Sequence, residues 1–189
     1  MRPLSVAFVG GPAGRWAIER METVAGAALP TAARLTVLTG SGAPEGGAPG
    51  ATWTLRGVTS HERYVTRRER AALTACQEPL GRPAAIRAAL IPITKSEAWW
   101  ELPQDERRRI LEERSRHIAT GLEYLPAIAR RLHHGRDLGE LFDFLTWFEF
   151  AAADAPAFDE LVGRLRATEE WGYVEREIDI RLARAPDSR

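Results

Sequence analysis

Pro126 separates two stretches whose apolar residues recur at different intervals, and that change limits what the chain can fold into. Over 103–124 the apolar positions Ile110, Leu111, Ile118 and Leu122, with Leu125 just beyond, recur at helical spacing. Pro103 suits the first turn of such a helix, because its missing N–H would find no intrahelical partner there. Pro126 disfavours the α conformation at Leu125 and ends the helix. From Ala127 the interval is closer to two: Ile128, Arg130 and Leu132 share one face, and Ala129, Arg131 and His133 the other. His117 sits on the inward edge of the helix, and Gly121, one turn on, has no side chain to crowd it. In one unbroken helix His117 and Arg130 would stand roughly 20 Å apart. A reversal after Pro126 is expected to bring them to opposite sides of one pocket.

The remaining patterns place further elements on either side. Pro3–Gly10 reads as a strand, Ala17–Ala27 as a short helix and Arg34–Leu38 as a strand. The segment from Gly40 to Ala51, GSGAPEGGAPGA, is a flexible loop by composition. Strand character returns over Thr52–Val65, and a short helix follows from Arg67 to Cys76. From residue 84 the order is strand (Ala85–Lys95), helix (Pro103–Tyr124), strand (Ala127–His134), strand (Phe142–Phe150), helix (Ala155–Glu169), strand (Tyr173–Leu182). That is β-α-β-β-α-β, the ferredoxin-like unit. Asp154 can cap the second helix and Pro156 suits its first turn. On the last strand Val174, Ile178, Ile180 and Leu182 are expected inside, and Tyr173, Glu175, Glu177, Asp179 and Arg181 outside. The expected architecture is α+β in a single domain spanning 1–189. Residues 84–189 form the ferredoxin-like half, and residues 1–83 a reduced N-terminal copy inferred from element order.

Composition narrows the function. The chain has 189 residues with 26 basic and 26 acidic side chains, so the formal net charge is zero. That argues against a nucleic-acid or membrane-surface partner, either of which would call for a basic excess. No apolar run approaches the length of a bilayer span, and the N-terminus makes a poor secretory signal, so a cytoplasmic location is expected. Cys76 is the one cysteine, which leaves neither a disulfide nor a CxxCH site for covalent haem. GGPAG near the N-terminus is neither a dinucleotide nor a P-loop fingerprint and reads as a turn. His133, His134, Asp137 and Glu140 have the composition of a metal cluster but not its helical spacing, and read as a strand-to-strand turn.

Spacing alone leaves His117 as either a packed core histidine or a ligand. It leaves Arg130 as a structural ion pair, a snorkelling side chain or an anion-holding group. Longer motifs carry more. SRHIATGLEYLPAIARRLHHGRDLGELFDFLTWFEF followed by AFDELVGRLRATEEWGYVEREIDIRL resembles the chlorite dismutase family in its short-chain, dimeric branch. Upstream, TWTLRGVTSHERYV, PLGRPAAIRAALIPITKSEAWW and QDERRRI match it too. The resemblance covers roughly 52–184 and is loose over the first fifty residues. Leu141 stands where relatives often carry a proline, a change that falls in a turn.

The resemblance implies a homodimeric α+β barrel and a haem b chlorite O2-lyase, turning chlorite into chloride and dioxygen through a ferryl/hypochlorite intermediate. It implies His117 as the axial ligand of the haem iron and Glu170 as the acceptor of that histidine's hydrogen bond. Lys95 would lie near Glu170 and the haem edge, and Trp100 would pack against the macrocycle near its propionates. On the other side it implies Arg130 as the catalytic group holding the oxyanion and Gln77 as a hydrogen-bond partner of that arginine. Thr146 and Leu125 would lie near the iron. Phe142, Phe144, Phe148 and Phe150 are expected to share the face of Thr146 as a dry wall. The alternatives on the same fold are a coproheme decarboxylase or other haem peroxidase, and a non-enzymatic haem carrier.

Overall fold

The computed structural model describes residues 4–40, 48–59 and 64–184. Eight strands among them close into an antiparallel barrel: β1 (Ser5–Gly11), β2 (Trp16–Ala25), β3 (Arg34–Thr39), β4 (Trp53–Val58), β5 (Arg87–Lys95), β6 (Ala129–His134), β7 (Phe144–Phe150) and β8 (Val174–Arg184). Their order around the barrel is β1-β3-β2-β8-β5-β7-β6-β4, with β4 closing on β1. The helices are α1 (Arg67–Cys76), α2 (Glu97–Glu101), α3 (Gln104–Arg108), α4 (His117–Glu123) and α5 (Ala155–Arg166).

Two apolar layers hold this together. Inside the barrel, Phe8, Trp16, Trp53, Leu90, Trp147 and Ile180 belong to one buried cluster. Outside it, Ile91, Phe148 and Phe150 of the sheet meet Phe158, Leu161 and Leu165 of α5. Close approach sets the sequence at two glycines. A Cβ at Gly10 would overlap the Trp53 indole, and Gly14, at φ +154, crosses the backbone of Leu35 as the chain steps from β1 over β3 into β2.

Several expectations change. The helix expected over Ala17–Ala27 is strand β2, because that segment pairs along β8 from Trp16↔Arg184 to Ala25↔Glu177. Tertiary pairing overrides a weak local preference. The helix expected over 103–124 is three pieces: α3, a π-helical turn Arg109–Arg114, and α4 after a break at Arg116, which adopts φ 51. Helix α5 stops at Arg166, and Glu170 lies instead in a 3-10 turn, Glu169–Tyr173. Asp154 occupies the N-cap position of α5 but makes no side-chain cap bond.

Glu177 and Asp179, expected outside, are both fully buried. Arg166 reaches Glu177 at 2.5 Å and Asp179 at 3.0 Å, and Arg181 also pairs with Asp179. Helix α5 covers that face, so alternation marked two buried faces rather than one. Phe142 joins the barrel interior instead of the Phe144 face, since β7 begins two residues later. Helix α1 has the expected bounds and a capping box between Thr66 and Glu69. The expected loop over Gly40–Ala51 and the end of the Thr52–Val65 strand fall largely outside the described residues. No helix among the described residues is long and apolar enough to cross a membrane.

Candidate functional site

Helix α4 is short and starts abruptly. Arg116 sits in the left-handed region and offers no side-chain cap. Glu112, from the preceding turn, accepts the N–H of Ile118 at 2.6 Å and of Ala119 at 3.2 Å. These are among the orphan donors that every helix start leaves. His117 is therefore the first residue of a new helix, not the middle of a long one.

The His117 side chain is one-third exposed, and its Nδ1 lies 2.6 Å from Glu170 Oε2. That bond leaves Nε2 as the remaining ring nitrogen. Glu170 is buried, and its Oε1 accepts from Lys95 Nζ at 2.9 Å. Lys95 also donates to the Glu170 carbonyl at 3.0 Å, and its ammonium lies 4.7 Å from the Trp99 ring centroid. Burial alone would raise the Glu170 carboxyl, but His117 and Lys95 outweigh it and hold the group at about 2. Burial pulls the Lys95 ammonium below its ordinary range even with Glu170 beside it. The Glu170 N–H donates to Ser115 Oγ at 3.0 Å.

Arg130 lies on β6 and reaches back to α4. Its Nη1 donates to the Gly121 carbonyl at 2.9 Å. A Cβ at Gly121 would overlap the guanidinium nitrogens, so the glycine is the seat of this side chain. Gly121 follows His117 by one helical turn, about 6 Å along the axis. After the reversal at Pro126, Arg130 thus meets the same short helix that carries His117. Among the described residues Arg130 has no carboxylate partner, and burial lowers its guanidinium to about 10. It remains charged at neutral pH. Gln77 donates to the Arg130 backbone carbonyl at 2.7 Å, not to its guanidinium. Arg82 grips the same reversal through the carbonyls of Pro126, at 3.3 Å, and Ala127, at 2.8 Å. Leu125 lies half-buried in that reversal.

The sheet face beside Arg130 is apolar and partly uncovered. Leu132 pairs with Thr146, and Thr146 in turn with Ile91. Leu132 is 44% exposed in the middle of a sheet face, and Phe144 and Thr146 are half-buried. At the edge, Trp100 stacks on Phe144 at 5.8 Å, under the Arg136 guanidinium at 4.1 Å. Its indole N–H donates to Asp143 Oδ2 at 3.2 Å, which also accepts the Lys95 backbone N–H at 2.8 Å. His133 points into the barrel against Phe8, whereas His134 packs on Phe144, so the two neighbours occupy opposite faces.

Sequence reasoning missed Glu112, Ser115, Asp143 and Trp171. Trp171 stacks on His117 at 6.4 Å and donates to Glu177 at 2.8 Å. The one legible signal was Asp143, a lone carboxylate in the otherwise apolar run FDFL. The contacts of Glu112 and Ser115 follow from the break at Arg116, which no periodicity announces.

The chlorite dismutase family model matches residues 46–185. A dimeric chlorite dismutase from Nitrobacter winogradskyi is 57% identical, with a TM-score of 0.87 over 95% of this chain and 99% of that one. A mutant chlorite dismutase from Candidatus Nitrospira defluvii shares the fold at 18% identity, with a TM-score of 0.65 over 97% of this chain and 91% of that one. A curated chlorite dismutase from Ideonella dechloratans is 34% identical over 86 residues, 46% of this chain but only 28% of that protein.

Proposed function

The chain belongs to the chlorite dismutase family, and from that premise we propose that it is a chlorite O2-lyase. It converts chlorite to chloride and dioxygen with non-covalent haem b. The observation that carries this reading is a partly buried arginine that meets no carboxylate among the described residues and is seated at Gly121, one turn along α4 from a histidine whose Nδ1 is held by a buried glutamate.

The residues fit a haem. His117 retains Nε2 for a metal, and Glu170 strengthens it as a donor by accepting from Nδ1. Lys95 keeps Glu170 ionised in its buried site. Leu132, Phe144 and Thr146 offer a flat, mainly apolar face, and Trp100 borders it. Bound haem, held by His117, would supply the redox chemistry of oxygen-atom transfer from chlorite. Arg130 supplies the charge that holds the substrate and product oxyanions in a site from which apolar walls exclude water. Its bond to the neutral Gly121 carbonyl is readily exchanged for stronger charge-assisted bonds to an anion. Gln77 fixes the backbone from which Arg130 projects, and Leu125 shapes the reversal beneath it.

Two structural readings accompany this. Strands β5 to β8 lie in the order β8-β5-β7-β6, which supports a ferredoxin-like unit over 84–189. Strands β4-β1-β3-β2 repeat that order, so residues 1–83 read as a reduced copy in which a step at 12–15 stands in for the first crossover helix. Both halves build one barrel, which supports a single domain. The dimeric Nitrobacter relative supports a homodimer.

Apoprotein reconstituted with haem b and given chlorite in an oxygen electrode should release dioxygen stoichiometrically. A fully haem-loaded protein that releases none would overturn the assignment.

A further inference from the structure

The bond between His117 and Glu170 joins two backbone segments that are held by one short stretch of chain. Glu112 fastens the first turn of α4 through two amides, and Ser115 fastens the backbone of Glu170 through its hydroxyl. Between them Arg114 forms a half-exposed ion pair with Glu169 at 2.9 Å. The break at Arg116 then turns the chain so that His117 can face Glu170.

We propose that Glu112 and Ser115 are positioning residues that act as a bracket, setting the His117–Glu170 hydrogen bond from both ends. Neither touches the 2.6 Å bond itself. The physical need is clear at α4. It has seven residues, its own N-cap position makes no side-chain bond, and His117 is its first residue. A helix this short has little stability of its own and would fray from the end that carries the imidazole. The Glu112 carboxylate also offsets the positive end of the helix beside His117, which keeps the imidazole a good donor. Ser115 does the complementary task, anchoring the peptide that carries Glu170 so that the carboxylate cannot turn toward Lys95 alone.

This inference rests on His117 being the iron ligand, yet its first readout needs no cofactor. Amide hydrogen exchange over 117–123 in the apoprotein should speed up by roughly five- to tenfold in Glu112→Ala, the loss expected when a capping group is removed. Glu112→Gln, which retains an acceptor, should recover part of it. In the haem-loaded protein, Glu112→Ala and Ser115→Ala should each release haem to apomyoglobin several-fold faster. Each should also lower the iron–histidine stretching frequency. Arg114→Ala, which removes only the exposed pair, should change neither. If exchange, haem release and the stretching frequency all match wild type in both bracket variants, the proposal is overturned. If exchange responds but wild-type protein takes up no histidine-ligated haem, the bracket on α4 stands and the haem reading falls.

Discussion

Arg130 and Gly121 form a pair in which the smaller residue determines what the larger can do. The guanidinium has one hydrogen bond among the described residues, to a neutral carbonyl. Arg130→Ala should leave haem uptake intact, slow oxygen release from chlorite and increase chlorination of a trap reagent. Equal rates and equal trapping would remove Arg130 from the mechanism. Gly121→Ala should separate stability from function. The methyl stabilises α4 by up to about 1 kcal/mol through helix propensity, but it displaces the guanidinium. The expected result is an unchanged or raised melting temperature with a higher KM for chlorite. His117→Ala should abolish tight haem uptake, read as loss of the Soret band at low micromolar protein.

At the scale of elements, the candidate site lies between the outer face of β6–β7 and helix α4, with the 3-10 turn that carries Glu170 bonded to α4 through His117. Lys95, at the end of β5, bonds to that turn as well, with its ammonium and Glu170 both shut away from solvent. Breaking a buried pair costs more than the pair contributes, because the surviving charge is left without a partner. Glu170→Gln should therefore destabilise the apoprotein by on the order of 3 kcal/mol, measured by urea unfolding. Replacing Glu170 and Lys95 together by Gln and Met should recover much of that loss. A double variant no more stable than the single one would show that the Lys95 charge is satisfied elsewhere.

For the whole molecule, two of the buried groups that shape the acid response are His133 and Glu170. His133 sits in the barrel against Phe8, and burial lowers its imidazole to about 4 from the ordinary 6.5. It is neutral when folded and protonates on unfolding, so its contribution is full above pH 6.5 and is lost as pH falls toward 4. Glu170, held at about 2, contributes above its ordinary 4.5 and loses that contribution as pH falls from there toward 2. The apoprotein melting temperature should thus decline in two successive windows. His133→Gln should flatten the upper one and leave the lower. An unchanged slope between pH 6.5 and 4 would show that another group governs it. If the protein is a homodimer like its Nitrobacter relative, light scattering should give about twice the 21.0 kDa chain mass.

Much of this was legible in the residues because the information was local. The change of period at Pro126, the helix from Arg67 to Cys76 and the strand order after residue 84 all follow from spacing and turn chemistry. The same proline marks the reversal between His117 and Arg130, while the seat of Arg130 at Gly121 is a tertiary contact. Other features depended on what packs against what. Segment 17–25 became a strand because β8 offered it a partner, and Glu177 and Asp179 were buried because α5 supplied arginines to meet them. The break at Arg116 left no mark in the periodicity, and with it went the capping of α4 by Glu112 and the bond from the Glu170 amide to Ser115. Periodicity reports which side of an element is apolar. Only the assembled fold decides which buried charges find each other, because that depends on distances between segments far apart in the chain.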